Sequence, residues 1–210
     1  DHFQWKDGAT GPMGYKLEVP PIFPGLGAGV LNVFGDDLKR EMAALAHTNA
    51  VLALLRDGFV EQSQGGSVRL ADDGSPMLDY ELSDYVWDGV KRAYLSMAEL
   101  QFAAGAKQVR AAHLDARYVG SWNEAKKAIA ELPLRKFRAS LFTAHLMGGC
   151  AMSENPKRGV VNSRGQHHQV ENLSVMDGSV FPTSIGANPQ LSIYGLTAQN
   201  ATALAKELRA

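Results

Sequence analysis

Ala144-His145-Leu146-Met147-Gly148-Gly149-Cys150-Ala151-Met152, then Leu173-Ser174-Val175-Met176-Asp177-Gly178-Ser179-Val180-Phe181-Pro182, then Gly186-Ala187-Asn188-Pro189-Gln190-Leu191-Ser192-Ile193 decide how this chain is read. Leu173–Met176 is a short, mainly apolar run that predicts a strand. Asp177-Gly178 breaks it, and a glycine there lets backbone approach a ligand closely. Asn188-Pro189 predicts a helix start, with Asn188 as N-cap and Pro189 at the first helical position. That helix runs to Leu208 and gathers Leu191, Tyr194, Ala198, Ala201 and Leu208 on one face, with Leu204 at its flank. A helix start offers unpaired N–H groups and partial positive charge, which suits an anion. The same residues serve equally well as a capped structural helix. His145 can exchange a proton near neutrality, and Gly148 and Gly149 remove side-chain bulk beside it. A histidine in a glycine-rich loop is also commonly structural.

Working towards the N-terminus, the pattern changes. Asn123–Leu132 predicts a short helix stopped by Pro133, and Asp84–Ala104 a long one capped by Ser83 and followed by Gly105. Phe59–Gln62, Ser67–Leu70 and Met77–Leu82 are short alternating runs that predict strands, as does Gln108–Ala111. Asp72-Asp73-Gly74 marks a hairpin between Ser67–Leu70 and Met77–Leu82. Asp36–Arg56 reads as a helix through Leu38, Met42, Leu45, Leu52 and Leu55, with Asp36 as its cap. Lys16–Val19 predicts a strand ended by Pro20, Pro21 and Pro24. Gly25-Leu26-Gly27-Ala28-Gly29 reads as a flexible loop. A dinucleotide-binding fingerprint needs a buried strand before it and a glycine where Val30 stands. The fold class is therefore α+β, an antiparallel sheet with packed helices. After Leu134 the helix formers give way to Gly, Ser, Asn and His, the composition of functional loops on a scaffold.

The chain has 210 residues with 21 Lys+Arg against 22 Asp+Glu, so it lacks the basic excess of a nucleic-acid binder. No apolar run approaches the ~20 residues of a transmembrane helix, and no signal peptide is visible. The opening Asp1–Gly8 reads like the interior of a longer protein. One cysteine, Cys150, rules out an internal disulfide framework and fits a reducing compartment such as the cytoplasm. No metal site is expected. His167-His168 are adjacent, so their side chains diverge, and Asp72-Asp73-Gly74 is too short for a calcium loop. Cys150 has no activating neighbour, and no nucleophile-elbow pattern supports a hydrolase. Trp5, Trp87 and Trp122 are expected as core or rim aromatics.

The ordered set H-x-x-G-G-C-x-M, L-x-V-x-D-G-S-x-F-P and G-x-N-P-x-L-x-I resembles the C-terminal signature of the glucose–methanol–choline (GMC) family of flavin oxidoreductases. The similarity is nearest to its cholesterol oxidase and long-chain alcohol oxidase branches. Lys16–Gly25, K-L-E-V-P-P-I-F-P-G, is similar to the latter. The resemblance implies that His145 is the proton-handling residue facing the flavin and Asn188 its catalytic partner. It implies that Asp177 and Gly178 pass the ribityl and pyrophosphate part of FAD, and that Asn188, Pro189 and Gln190 meet the isoalloxazine ring. Cholesterol oxidases carry an aromatic at the position of Gln190. Their substrate-domain glutamate has no motif here, and neither Glu61 nor Glu81 is assigned to it.

By the same resemblance, residues 1–140 form a substrate-binding domain. Residues 141–210 supply the active-site loop, and a strand and helix that complete an FAD-binding domain whose N-terminal part is the missing partner. The expected function is oxidation of a small apolar alcohol, with hydride passing to flavin N5 and His145 as base. The 210-residue chain alone is expected to bind FAD weakly or not at all and to show no turnover. The alternative is a non-catalytic module that binds hydrophobic ligands without a flavin half.

Overall fold

The computed structural model describes residues 11–209, so Trp5 and the Asp1–Gly8 opening lie outside the described residues. The chain divides into two compact units. One comprises the chain up to Leu55 together with Leu82–Phe142, the other Arg56–Glu81 together with Thr143–Ala210. The secondary structure is α+β, but the expected single sheet is two separate antiparallel pairs.

In the first unit, β1 (Tyr15–Glu18) pairs with β2 (Leu52–Leu55), in the register Tyr15 opposite Leu55 and Glu18 opposite Leu52. Between them lie α1 (Pro24–Val30) and α2 (Gly35–Ala44). Two expectations are corrected here. The Gly25–Gly29 run is helical: Pro24 stands in the first turn, where a missing N–H costs nothing. Buried Gly27 lets that helix sit against neighbours, since a Cβ would lie 3.5 Å from Leu45 Cδ1 and 3.7 Å from Ile22 Cγ2. The helix expected over Asp36–Arg56 starts at Gly35, ends at Ala44 and tightens into a 3-10 turn over Leu45–His47. Asp36 and Asp37 occupy its first turn, where acidic charge is favoured. Leu52–Leu55 is a continuous apolar run whose periodicity fits helix or strand, and pairing with the distant β1 decides it.

The core of this unit is built on α3 (Asp84–Ala103), which packs on β1, β2 and α4 (Trp122–Glu131). Val86, Val90, Tyr94 and Ala98 face Met13, Val119, Ala125 and Ile129. Trp87 and Trp122 pack against the edge of this cluster. Met13 is fully buried because Gly89 leaves it room: a Cβ at Gly89 would lie 2.8 Å from Met13 Sδ. Ser121 caps α4 by accepting from Glu124 N at 3.2 Å. Ser83 holds the N-cap position of α3 but makes no side-chain cap bond. The strand expected over Gln108–Ala111 is a single bridge, Val109 to Val119.

In the second unit, β3 (Gly66–Leu70) and β4 (Pro76–Tyr80) form the expected hairpin, turned at Gly74 with φ +80°. Ser75 donates to the Asp73 carboxyl and holds it below the usual carboxylate range. The hairpin is exposed on both strands. Its register puts Val68, Leu70, Leu78 and Tyr80 on one face, while Arg69 and Asp79 pair across the other at 2.8 Å. Phe59–Gln62 is not a strand; a 3-10 turn spans Glu61–Ser63. α5 (Gln190–Glu207) closes the chain.

Candidate active site

The three motif segments meet inside the second unit. Asp177 accepts from Ser179 N at 2.8 Å and so caps a 3-10 turn over Gly178–Val180. The His145 loop runs alongside: Cys150 N donates to Ser179 O at 3.0 Å and Met152 N to Val180 O at 2.8 Å. α5 comes in from the other side. A Cβ at Gly178 would lie 3.0 Å from both Leu146 O and Ile193 Cδ1. A side chain there would press on both, so Gly178 is where the His145 loop and the first turn of α5 draw together.

Two expectations about these segments are corrected. Leu173–Met176 is not a strand; Ser174 makes one bridge to Gln166. Its neighbours spend their hydrogen bonds on tight turns, as when Val175 N donates to Gly165 O at 2.8 Å and Gly165 N to Asn162 O at 2.9 Å. Asn188 does not occupy the N-cap position. Pro189 does, with φ −88° and ψ −6°, and its carbonyl accepts the first helical bond from Ile193 N at 2.9 Å. Pro189 offers no side-chain cap, and no acidic residue lies in the first turn of α5. The positive end of this 18-residue helix is therefore not neutralised by its own sequence.

His145 is half-buried, and its backbone N–H donates to Thr143 Oγ1 at 3.2 Å. Asp177, Asn188 and Gln190 are exposed, while Gly178 is half-buried and Pro189 buried. Gln190 donates from its amide to Tyr194 Oη at 2.7 Å, which sets the direction of that carboxamide. Leu146, Leu191 and Tyr194 are bare, with Leu191 83% exposed. The arrangement brings together the 145–152 loop, the Asp177 turn and the start of α5, segments that carry an imidazole, two carboxamides and exposed apolar side chains. It can exchange a proton, donate to an oxygen and accommodate negative charge.

Reading the sequence missed the residues that tether the motif to α5. Thr197 Oγ1 donates to Met176 O at 3.0 Å, and buried Asn200 donates from Nδ2 to Ser163 O at 3.3 Å. Their signal was present as two polar residues spaced three apart, 197 and 200. With Ile193, Leu196 and Leu204 they form the covered stripe of α5. The face expected to pack, Leu191 through Leu208, lies on the adjacent arc and is exposed among the described residues.

The family model described as GMC oxidoreductase matches residues 61–197, which contain every one of these segments. The chain belongs to the GMC oxidoreductase family. A long-chain-alcohol oxidase of Arabidopsis thaliana is 28% identical over 86% of the chain and 25% of its own length. A cholesterol oxidase of Acinetobacter baumannii is 47% identical over a shorter stretch, 26% of the chain and 10% of its own. An uncharacterized GMC-type oxidoreductase of Sinorhizobium fredii is 31% identical over 66% of the chain and 28% of its length. The chain thus spans about a quarter of the length of the curated relatives it matches. Among the described residues no helix is long and apolar enough to cross a membrane, and no cluster of His, Cys, Asp and Glu could hold a metal ion.

Proposed function

We propose that this chain is the C-terminal portion of an FAD-dependent alcohol oxidoreductase acting on a small apolar alcohol. Residues 1–140 serve as substrate-binding part, and 141–210 as active-site loop and closing segment of the FAD-binding domain. An N-terminal FAD-binding portion is its partner. The observation that carries the reading is the convergence at Gly178 of the His145 loop, the Asp177 turn and the first turn of α5. The alcohol class rests on the relatives named as long-chain-alcohol and cholesterol oxidases.

The residues present fit a flavin. Gly178 leaves no side chain at the crossing, the first turn of α5 carries no acidic residue, and Leu146, Leu191 and Tyr194 offer apolar surface for a ring. FAD, when bound, supplies a two-electron acceptor for the hydride of a CH–OH donor. His145 takes the hydroxyl proton, so that the carbinol oxygen gains alkoxide character as its carbon becomes a carbonyl carbon. Asn188 donates an amide N–H to the same oxygen and orients the carbon. Asp177, Gly178, Asn188, Pro189 and Gln190 would be the residues of this chain that hold the cofactor. The N-terminus of α5 stabilises the negative charge gained on reduction without reorganising.

The test uses the chain joined to its FAD-binding portion. His145→Ala is expected to lower kcat by about 10²- to 10⁴-fold with bound flavin, read by absorbance, unchanged. Loss of flavin with undiminished turnover per bound flavin would contradict the base role. Absence of flavin and of alcohol oxidation in the unsubstituted protein would leave the non-catalytic binding module as the better reading.

A further inference from the structure

We propose that Arg56 is a positioning residue of this site: it braces the turn at Gly186 and thereby sets where Asn188 carries its carboxamide. The consequence for turnover rests on the alcohol-oxidoreductase reading; the brace itself does not. Gly186 is buried, has φ +70° and stands two residues before Asn188. A Cβ there would overlap Arg56 Nε and lie 3.1 Å from its Cδ and 3.2 Å from its Cγ. The arginine stem therefore lies flat on the glycine backbone and occupies the room a side chain would need.

Arg56 is itself held. Its guanidinium carbon sits 4.5 Å above the centroid of Phe59, a cation–π geometry that fixes a long side chain. The turn it begins is closed by Gly58 N donating to Ser63 O at 2.6 Å. Asp57 accepts from Tyr80 Oη, which ties the turn to β4. A second contact runs beside the first: a Cβ at Gly58 would lie 3.7 Å from Ser184 N and from Thr183 Cβ. Gly186 N in turn donates to Ser184 Oγ at 3.1 Å. The 56–58 turn thus touches 183–186 at two points. The GMC family match begins at residue 61, so Arg56 lies outside the residues that it covers.

Two measurements test this. In the 210-residue chain, Gly186→Ala is made with and without Arg56→Ala, and unfolding by urea is followed. The expected result is strong non-additivity, in which removing the arginine side chain recovers much of the damage done by the alanine methyl. Equal damage from Gly186→Ala in both backgrounds, including failure to fold in both, overturns the brace. In the complete flavoprotein, Arg56→Ala is expected to lower kcat by about 10²-fold, with KM and bound flavin little changed. Arg56→Lys, which keeps the stem and the charge, recovers part of that loss. An Arg56→Ala enzyme with full flavin and undiminished kcat overturns the link to Asn188. A flavoprotein that oxidises no alcohol before substitution would sink the functional reading, while the urea cycle still decides the brace.

Discussion

Val86, Val90 and Tyr94 of α3 and Ile129 of α4 interlock in the first unit with Met13, which stands just before β1. The second unit has few such residues. Val60, Val161 and Val180 are its buried apolar side chains among the described residues; outside the hairpin and α5 it is largely turns whose backbone groups bond one another, with glycines at several close crossings. One unit is held chiefly by apolar area, the other by many directed hydrogen bonds and by the absence of Cβ atoms at a few crossings. The difference suits their tasks. Apolar packing tolerates volume-conserving exchange, whereas a site must hold polar groups in set directions, which backbone bonds and tight turns do.

The comparison can be broken by substitution. Met13→Ala, in the first unit, should destabilise by about 2–5 kcal/mol, because a fully buried side chain leaves a cavity against Gly89. Thermal or urea unfolding measures it, and a loss under about 1 kcal/mol would show that this core is not tightly packed. Asn200→Ala, in the second unit, removes no large apolar volume but leaves Ser163 O without its amide partner. About 1–3 kcal/mol of destabilisation is expected, and hydrogen exchange should rise over 162–175 rather than along α3.

A smaller, pH-dependent effect separates the units further. Burial pushes the Tyr94 phenol in the first unit up from 10.0 to about 12, with its hydroxyl donating to Ala112 O at 2.7 Å. The raised value means that the folded state holds its proton more tightly. The stabilisation is fully present below pH 10 and is lost as pH climbs through about 12. Tyr94→Phe should flatten that alkaline loss, measured as unfolding midpoint against pH; an unchanged slope would assign the loss to other groups. The smallest effect is expected at the exposed hairpin. Asp79→Ala breaks its ion pair with Arg69, yet exposed pairs of this kind contribute only about 0–1 kcal/mol.

Reading the sequence located what local pattern encodes. α3 and α4 carry helical spacing and clear stops, and the β3–β4 hairpin carries its Asp-Gly turn. It failed where a distant partner decides. Leu52–Leu55 becomes a strand because Tyr15–Glu18 lies alongside, and Gly25–Gly29 becomes a helix because Gly27 can pack on Leu45. The motif residues of the candidate site were legible as spaced residue types. Their arrangement around Gly178 was not, since it depends on carbonyls and backbone crossings that no side-chain pattern records. Arg56 carried no signal at all: only the fold brings it against Gly186.

One consequence follows from the two stripes of α5. At 100° per residue, Ile193, Leu196, Thr197, Asn200 and Leu204 and their bare neighbours Leu191, Tyr194, Ala198 and Ala201 together take up about two thirds of the helix circumference. Ser192, Gln199 and Lys206 are left as the strip on which substitutions can accumulate without touching either stripe. Tags, labels and crosslinkers meant to report on this region belong on that strip.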